Sequence, residues 1–159
     1  MGRPERCLGC MQCEIACMQA NSDLDENSST KRKGLPRVKV EAGILHGERA
    51  SVRSGRSAPK IYAIRCHQCN DPPCVTACMS GALVQGEGGV VRVDKEQCVG
   101  CGLCLVICPY GAISIDRRTR TAVKCELCQG RDTPACVAAC PVGALVLVDL
   151  EPGKDPGGG

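Results

Sequence analysis

Cysteine is the residue of this sequence with the clearest chemistry, and it occurs in a regular pattern. The 159-residue chain contains 16 cysteines, which fall into four groups of four with none left over. The groups are Cys7, Cys10, Cys13 and Cys17; Cys66, Cys69, Cys74 and Cys78; Cys98, Cys101, Cys104 and Cys108; and Cys125, Cys128, Cys136 and Cys140. Thiols in this number either form disulfides or bind metal, and their spacing helps to decide between the two uses.

The spacing within the groups predicts iron–sulfur clusters. The first and third groups both read C-x2-C-x2-C-x3-C, and Pro109 follows the third. This spacing is typical of bacterial proteins with two [4Fe–4S] clusters, in which the fourth cysteine binds the neighbouring cluster. The second and fourth groups have longer gaps between their middle cysteines. Since each cluster needs four thiolates, the sixteen cysteines predict four [4Fe–4S] clusters.

Zinc and disulfides are the alternative uses of these cysteines. Zinc ribbons use separated C-x2-C pairs, which the second and fourth groups alone fit, but three cysteines at x2-x2 spacing do not. A secreted, disulfide-linked protein is disfavoured because Cys7 leaves no room for the apolar part of a signal peptide. Zinc is therefore disfavoured and a disulfide framework still more so, and a zinc-binding module is the least favoured of the candidate functions.

The composition leaves little material for an ordinary hydrophobic core. The chain has two tyrosines, no phenylalanine and no tryptophan. Cysteine accounts for about a tenth of the residues, so the 43% hydrophobic content falls to about a third without it. We expect the clusters to replace the missing interior and the iron-free chain to fold poorly.

The elements that must position the cysteines are short. A repeat, C-x3-C-[PM]-x-G-A-[LI], begins at Cys74, Cys104 and Cys136, and the first group lacks its Gly-Ala turn. Hairpins are predicted from 82–84 to 90–93 around Gly86-Glu87-Gly88-Gly89, and from 113–115 to 121–123. Residues 75–77 and 137–139 fit short helical turns. The predicted fold class is α+β, with short antiparallel strand pairs and short helices built around the clusters.

These motifs resemble the four-cluster, ferredoxin-like electron-transfer subunits of multi-subunit oxidoreductases. Enzymes of the dimethyl sulfoxide reductase, formate hydrogenlyase and carbon monoxide dehydrogenase types contain such subunits, as do bacterial tungsten aldehyde oxidoreductases. The resemblance covers residues 7–17 and 61–146. Met18 and Met79 stand where the family often has proline, which bears on the local turn. No cysteine is replaced by a non-ligand, so a three-iron cluster is not expected.

The resemblance also implies which cysteines share a cluster, because the family pairs the first motif with the fourth and the second with the third. The four implied ligand sets are Cys7, Cys10, Cys13 and Cys140; Cys125, Cys128, Cys136 and Cys17; Cys66, Cys69, Cys74 and Cys108; and Cys98, Cys101, Cys104 and Cys78. It implies one ferredoxin-like module from 1–20 with 119–150 and a second from 61–118. A basic insert (21–60) and a flexible tail (151–159) complete the predicted organisation.

The net charge is unevenly distributed. The formal charge is +3, and residues 27–60 hold nine of the 20 basic residues against two acidic ones. Four oxidised clusters with their thiolates contribute about −2 each, which makes the loaded chain acidic with one basic segment. That segment is interpreted as a solvated loop that offsets the cluster charge, or as a docking surface for a partner. Nucleic-acid binding is disfavoured because no aromatic residues accompany the charges.

The residues outside the cysteine groups suggest no further chemistry. His67 is expected to face solvent or to donate a hydrogen bond to a cluster sulfur. No neighbouring residue suggests a chemical role for His46. Tyr62 and Tyr110 are interpreted as packing groups. The sequence has no G-x-G-x-x-G pattern for a nucleotide, so the chain is expected not to be an enzyme on its own.

Electron transfer is the predicted function. The chain is expected to pass single electrons between a catalytic molybdenum- or tungsten-pterin subunit, for example an aldehyde-oxidising one, and a flavoprotein or ferredoxin. Carriers for carbon monoxide dehydrogenase or formate hydrogenlyase and a free polyferredoxin are alternatives. Self-association is a further option. No apolar stretch is long enough to span a membrane, and a cytoplasmic location is expected, with export on a partner's signal left open.

Overall fold

The computed structural model describes residues 3–22, 34–43 and 60–147. The helices are α1 (Gln12–Ala20), α2 (Pro73–Thr76), α3 (Leu103–Ile107) and α4 (Ala135–Ala138), with 3-10 turns at Pro4–Arg6 and Glu87–Gly89. The strands are β1 (Val38–Gly43), β2 (Lys60–Arg65), β3 (Leu83–Gln85), β4 (Val91–Val93), β5 (Ser114–Ile115) and β6 (Ala122–Val123). Most of the predicted basic insert, including Lys31-Arg32-Lys33 and His46, lies outside the described residues, as does the tail.

The strands form three separate antiparallel pairs, β1–β2, β3–β4 and β5–β6. Both predicted hairpins are present within a residue or two of their expected bounds, with Leu83 opposite Val93 and Ser114 opposite Val123. The N–H of Gly86 donates to the carbonyl of Val90 at 3.0 Å and closes the first turn. The predicted α+β class with short strand pairs and short helices is therefore confirmed.

Each helix carries the third cysteine of its group, and the fourth cysteine follows four residues later, within the helix or just after it. The predicted turns at 75–77 and 137–139 coincide largely with α2 and α4, and prolines mark their starts, since Pro73 is the first residue of α2 and Pro134 precedes α4. In each copy of the repeat the glycine N–H donates to the carbonyl of the last cysteine, at 3.2 to 3.3 Å. The first group lacks this turn, and its helix α1 instead continues to Ala20.

Within the residues that the structure describes, the buried side chains form two hydrophobic cores, and both contain cysteine. The first core consists of Cys13, Cys17, Val38 and Leu145, with Cys136 and Cys140 packed against it. The second consists of Cys74, Leu83, Val91, Cys104, Ile113 and Ala122. Strand β1 comes from the predicted insert and contributes Val38 to the first core, while β6 contributes Ala122 to the second. The division of the chain into two modules remains a prediction.

Strand β1 is fixed to helix α1 by a side chain of that helix. The N–H of Val40 donates to the carboxylate of Glu14. This contact and the packing of Val38 bring the segment 37–40 onto the cysteines of α1. None of the helices in the described part of the chain has the length and apolar character needed to cross a bilayer.

Candidate metal centres

The structure brings the cysteines together in four sets. One cavity is lined by Cys7, Cys10, Cys13 and Cys140. A second is lined by Cys17, Cys125, Cys128 and Cys136, and a third by Cys66, Cys69, Cys74 and Cys108. In the fourth set the charges of Cys101, Cys98 and Cys78 act on Cys104. We number these sets one to four in this order; they are the groupings that the resemblance implied.

The sets lie next to one another in series. Helix α1 carries Cys13 of set one and Cys17 of set two, one helical turn or about 6 Å apart along the axis. Helix α3 carries Cys104 of set four, and Cys108 of set three directly follows its last residue. Sets two and three share a boundary, because Cys66 of set three also lines the cavity of set two. The order along the molecule is therefore one, two, three, four.

The loops that hold the first two cysteines of each group share a backbone conformation. The residue just before the second cysteine has a positive φ in all four groups, namely Gly9 (69°), Gln68 (49°), Gly100 (68°) and Leu127 (57°). This left-handed conformation is unfavourable for residues other than glycine. A recurrent turn of this kind lets both cysteines of a C-x2-C pair face the same cavity.

Backbone N–H groups donate to cysteine sulfurs at several points. Ala144 donates to Cys140 at 3.2 Å from the turn of the repeat, and Ala122 donates to Cys98 at 3.3 Å from β6. In the first group, which lacks that turn, Arg37 donates to Cys17 at 3.2 Å. Such hydrogen bonds stabilise a thiolate and are among the factors that set cluster potentials.

Burial makes several of these thiols hard to ionise in the absence of a cation. Burial, with the neighbouring thiolates adding to its effect, raises the pKa of Cys136 to about 12. Burial also raises the pKa of Cys13 to about 11. For Cys140, burial acts to raise the pKa, but hydrogen bonds from backbone groups, including Leu145 and Ala144, lower it overall. A cationic iron centre supplies the charge that the buried thiols need to bind as thiolates.

The chemistry and placement of these donors fit a multi-iron cluster. Thiolate ligands and N–H donors to sulfur are what [4Fe–4S] clusters use. Within residues 3–22, 34–43 and 60–147, no group of three or more His, Cys, Asp or Glu side chains is arranged to hold a single metal ion. No disulfide joins the cysteines. Ligation by the sixteen cysteines remains a prediction.

Three polar residues next to the cysteines were not anticipated from the sequence. Lys124 is 1% exposed and Gln68 is 3% exposed. Arg37 is largely buried and forms an ion pair with Glu126 at 3.4 Å. For Lys124, the available signal is a charged residue between the apolar Ala122-Val123 and Cys125.

His67 does not simply face solvent. Its ring is half-buried and stacks on Tyr110, with ring centroids 3.7 Å apart and planes 1° from parallel. Burial, followed by the charge of Arg65, lowers the pKa of His67. Tyr110 thus acts as a packing group, as expected.

Comparison with known proteins identifies the family. Residues 58–150 match the family described as "4Fe-4S dicluster domain". An iron-sulfur protein of Rhodospirillum rubrum is 35% identical over 165 residues, covering 93% of this chain and 80% of the relative. Electron transport protein HydN of Escherichia coli (strain K12) is 36% identical over 161 residues, covering 91% and 83%.

One further relative is named as a subunit of an enzyme, and another is much longer than this chain. Thiosulfate reductase electron transfer subunit PhsB of Salmonella typhi is 35% identical over 152 residues, covering 92% of this chain and 73% of the relative. The chain spans only 21% of the length of a longer Escherichia coli (strain K12) relative. The match to the family covers more than half of the chain and confirms the predicted iron–sulfur chemistry. The chain belongs to the 4Fe-4S dicluster domain family.

Proposed function

We propose that this chain is an electron-transfer component that binds four [4Fe–4S] clusters, one in each cysteine set. The observation that carries the proposal is the serial order of the four sets, each of which shares a helix or a cavity wall with the next. When bound, each cluster takes up and releases single electrons. The sixteen cysteines hold the clusters at adjacent positions, and the N–H donors and burial set their potentials.

The two ends of the series are the points where electrons reach and leave the chain. Each terminal set has one exposed cysteine, Cys10 in set one and Cys101 in set four, whereas no cysteine of sets two and three is exposed. A redox partner can therefore approach the two terminal sets most closely. One partner is a catalytic subunit and the other a second redox protein. The names of HydN and PhsB, an electron transport protein and an electron transfer subunit, support this role.

The catalytic partner proposed is a molybdenum- or tungsten-pterin subunit, as the family resemblance implies. A free polyferredoxin is the alternative. Gel filtration of untagged protein from its source distinguishes the two, because a subunit is expected to elute with its partner. A single peak at the monomer mass would argue for the free carrier.

The cluster content is tested on the full chain prepared without oxygen. We expect about 16 iron and about 16 acid-labile sulfide per chain, no stoichiometric zinc, and electron paramagnetic resonance signals on reduction. Replacing Cys104 by alanine should remove about a quarter of the iron, because one set loses a ligand. Ser114→Ala is the matched control and should keep all of it. Full iron in Cys104→Ala, or zinc in place of iron in the wild type, would contradict the proposal.

A further inference from the structure

A buried lysine lies between two of the cysteine sets. The side chain of Lys124 is 1% exposed, and the residue directly precedes Cys125 of set two. Its Nζ donates to the carbonyl oxygens of Val91 at 2.7 Å and Cys125 at 2.8 Å, and to Oε1 of Gln68 at 3.4 Å. We call these four residues the buried junction.

The hydrogen bonds fit the protonated, charged form of the lysine. An ammonium group has three N–H donors and no acceptor, and Nζ faces three acceptor oxygens. All three oxygens are neutral, so they solvate the charge without cancelling it. A lysine is almost never buried to this extent unless its charge has a partner.

The junction touches both neighbouring sets. Lys124 lines the cavity of set three together with Cys66, Cys69, Cys74 and Cys108. Gln68 lines that cavity and the cavity of set two, and its Nε2 donates to the carbonyl of Cys125 at 2.8 Å. The charge of Lys124 acts on one thiol of each set, Cys74 in set three and Cys125 in set two. The lysine is thus placed to act on both sites.

We propose that the charge of Lys124 raises the reduction potentials of the two clusters bound in sets two and three, and so tunes the middle of the electron path. This inference rests on the proposed function. Reduction adds a negative charge to a cluster, and a nearby positive charge with little solvent between them stabilises that product. The anionic clusters in turn offset the cost of burying the lysine. The two terminal clusters lie beyond the junction and are affected less.

The test is a redox titration of the loaded full chain, followed by electron paramagnetic resonance. In Lys124→Met, two of the four reduction steps should become at least tenfold less favourable, which is about 59 mV for a one-electron couple. Lys124→Arg keeps the charge and should stay close to wild type. Lys95→Met is the matched control, because Lys95 is exposed and its loss changes the formal charge equally. It should leave all four steps within about twofold.

A second variant separates charge from structure. Lys124→Gln removes the charge but retains an amide that can donate hydrogen bonds, so it should shift the same two steps as Lys124→Met. Wild-type potentials in the glutamine variant, or an equal shift of all four steps, would overturn the inference. If the methionine variant fails to retain iron, the glutamine variant decides alone, and loss of iron in both would assign Lys124 a purely structural role.

The iron content keeps this test separate from that of the proposed function. About 16 iron in the wild type and in Lys124→Gln, with unshifted potentials, would refute the role of Lys124 while leaving four clusters in place. A wild type that lacks iron would refute the proposed function itself.

Discussion

The first and third cysteine loops reach their left-handed turn with glycine, whereas the second and fourth reach it with Gln68 and Leu127. The difference follows from what lies against each loop. A Cβ on Gly100 would lie 2.0 Å from the carbonyl oxygen of Arg120, and one on Gly9 would lie 3.1 Å from Ile61. Gln68 instead fills the buried junction, and Leu127 lines the cavity of set two.

Two different reasons therefore decide which residue type occupies this backbone position. Glycine is needed where another segment packs directly against the loop. A side chain is retained, despite a backbone cost of about 1–2 kcal/mol, where it fills space beside the cysteines. Substitutions at the four positions should therefore differ widely in effect, although the backbone conformation is the same.

The largest effect is expected for Gly100→Ala. The new methyl group would overlap a backbone oxygen that cannot rotate away, and the positive φ adds its own cost, for a total above about 3 kcal/mol. Cluster binding at set four should be lost, and iron after anaerobic reconstitution should fall by about a quarter. Iron analysis and the temperature at which the visible cluster absorbance bleaches measure both effects.

Gly102→Ala is the matched control for this substitution. Gly102 has a φ of 80°, but a Cβ there would meet nothing within 4 Å. Gly102→Ala should lower the free energy of unfolding only by the cost of the left-handed backbone, about 1–2 kcal/mol, and should keep the full iron content. Equal behaviour of the two variants would show that the contact with Arg120 does not matter.

The need for Gly100 illustrates what the sequence could and could not provide. The cysteine spacing, the repeat and the glycine-rich turn predicted the cluster type, the short helices and two hairpins, because these depend on local residues. The approach of Arg120 to Gly100 involves residues twenty positions apart, and no local pattern reports it.

Polar burial was equally hidden from the sequence. Lysine is an exposed residue by default, and the position of Lys124 between apolar residues and Cys125 does not tell which groups enclose it; the carbonyl oxygens of Val91 and Cys125 are seen only in the structure. The hydrogen bond from the Arg37 N–H to Cys17 was also hidden, because it forms only when β1 packs against α1. Local patterns thus predicted the ligands, whereas their electrostatic surroundings required the tertiary structure.

An intermediate effect is expected for Gly9→Ala. The nearest atoms to the added Cβ are Cδ1 and Cγ2 of Ile61, at 3.1 Å. Ile61 is 36% exposed, so its side chain can move and the cost should be about 2 kcal/mol with iron retained. In an Ile61→Ala background, which removes both atoms, the cost of Gly9→Ala should fall to the backbone term. Unchanged bleaching temperatures for Gly9→Ala would contradict the contact.

The smallest effect is expected for Leu127→Gly. Glycine relieves a backbone cost of about 1–2 kcal/mol at this positive φ, which roughly balances the lost packing of a half-buried leucine and the greater freedom of the unfolded chain. The bleaching temperature should therefore change little.

Gln68→Gly gains the same relief but loses hydrogen bonds to Val91 and Cys125 inside the buried junction, so it should destabilise by about 1–3 kcal/mol. If both glycine variants destabilise equally, the side chain of Leu127 is as necessary as that of Gln68. If both stabilise, the junction contributes less than the backbone conformation costs.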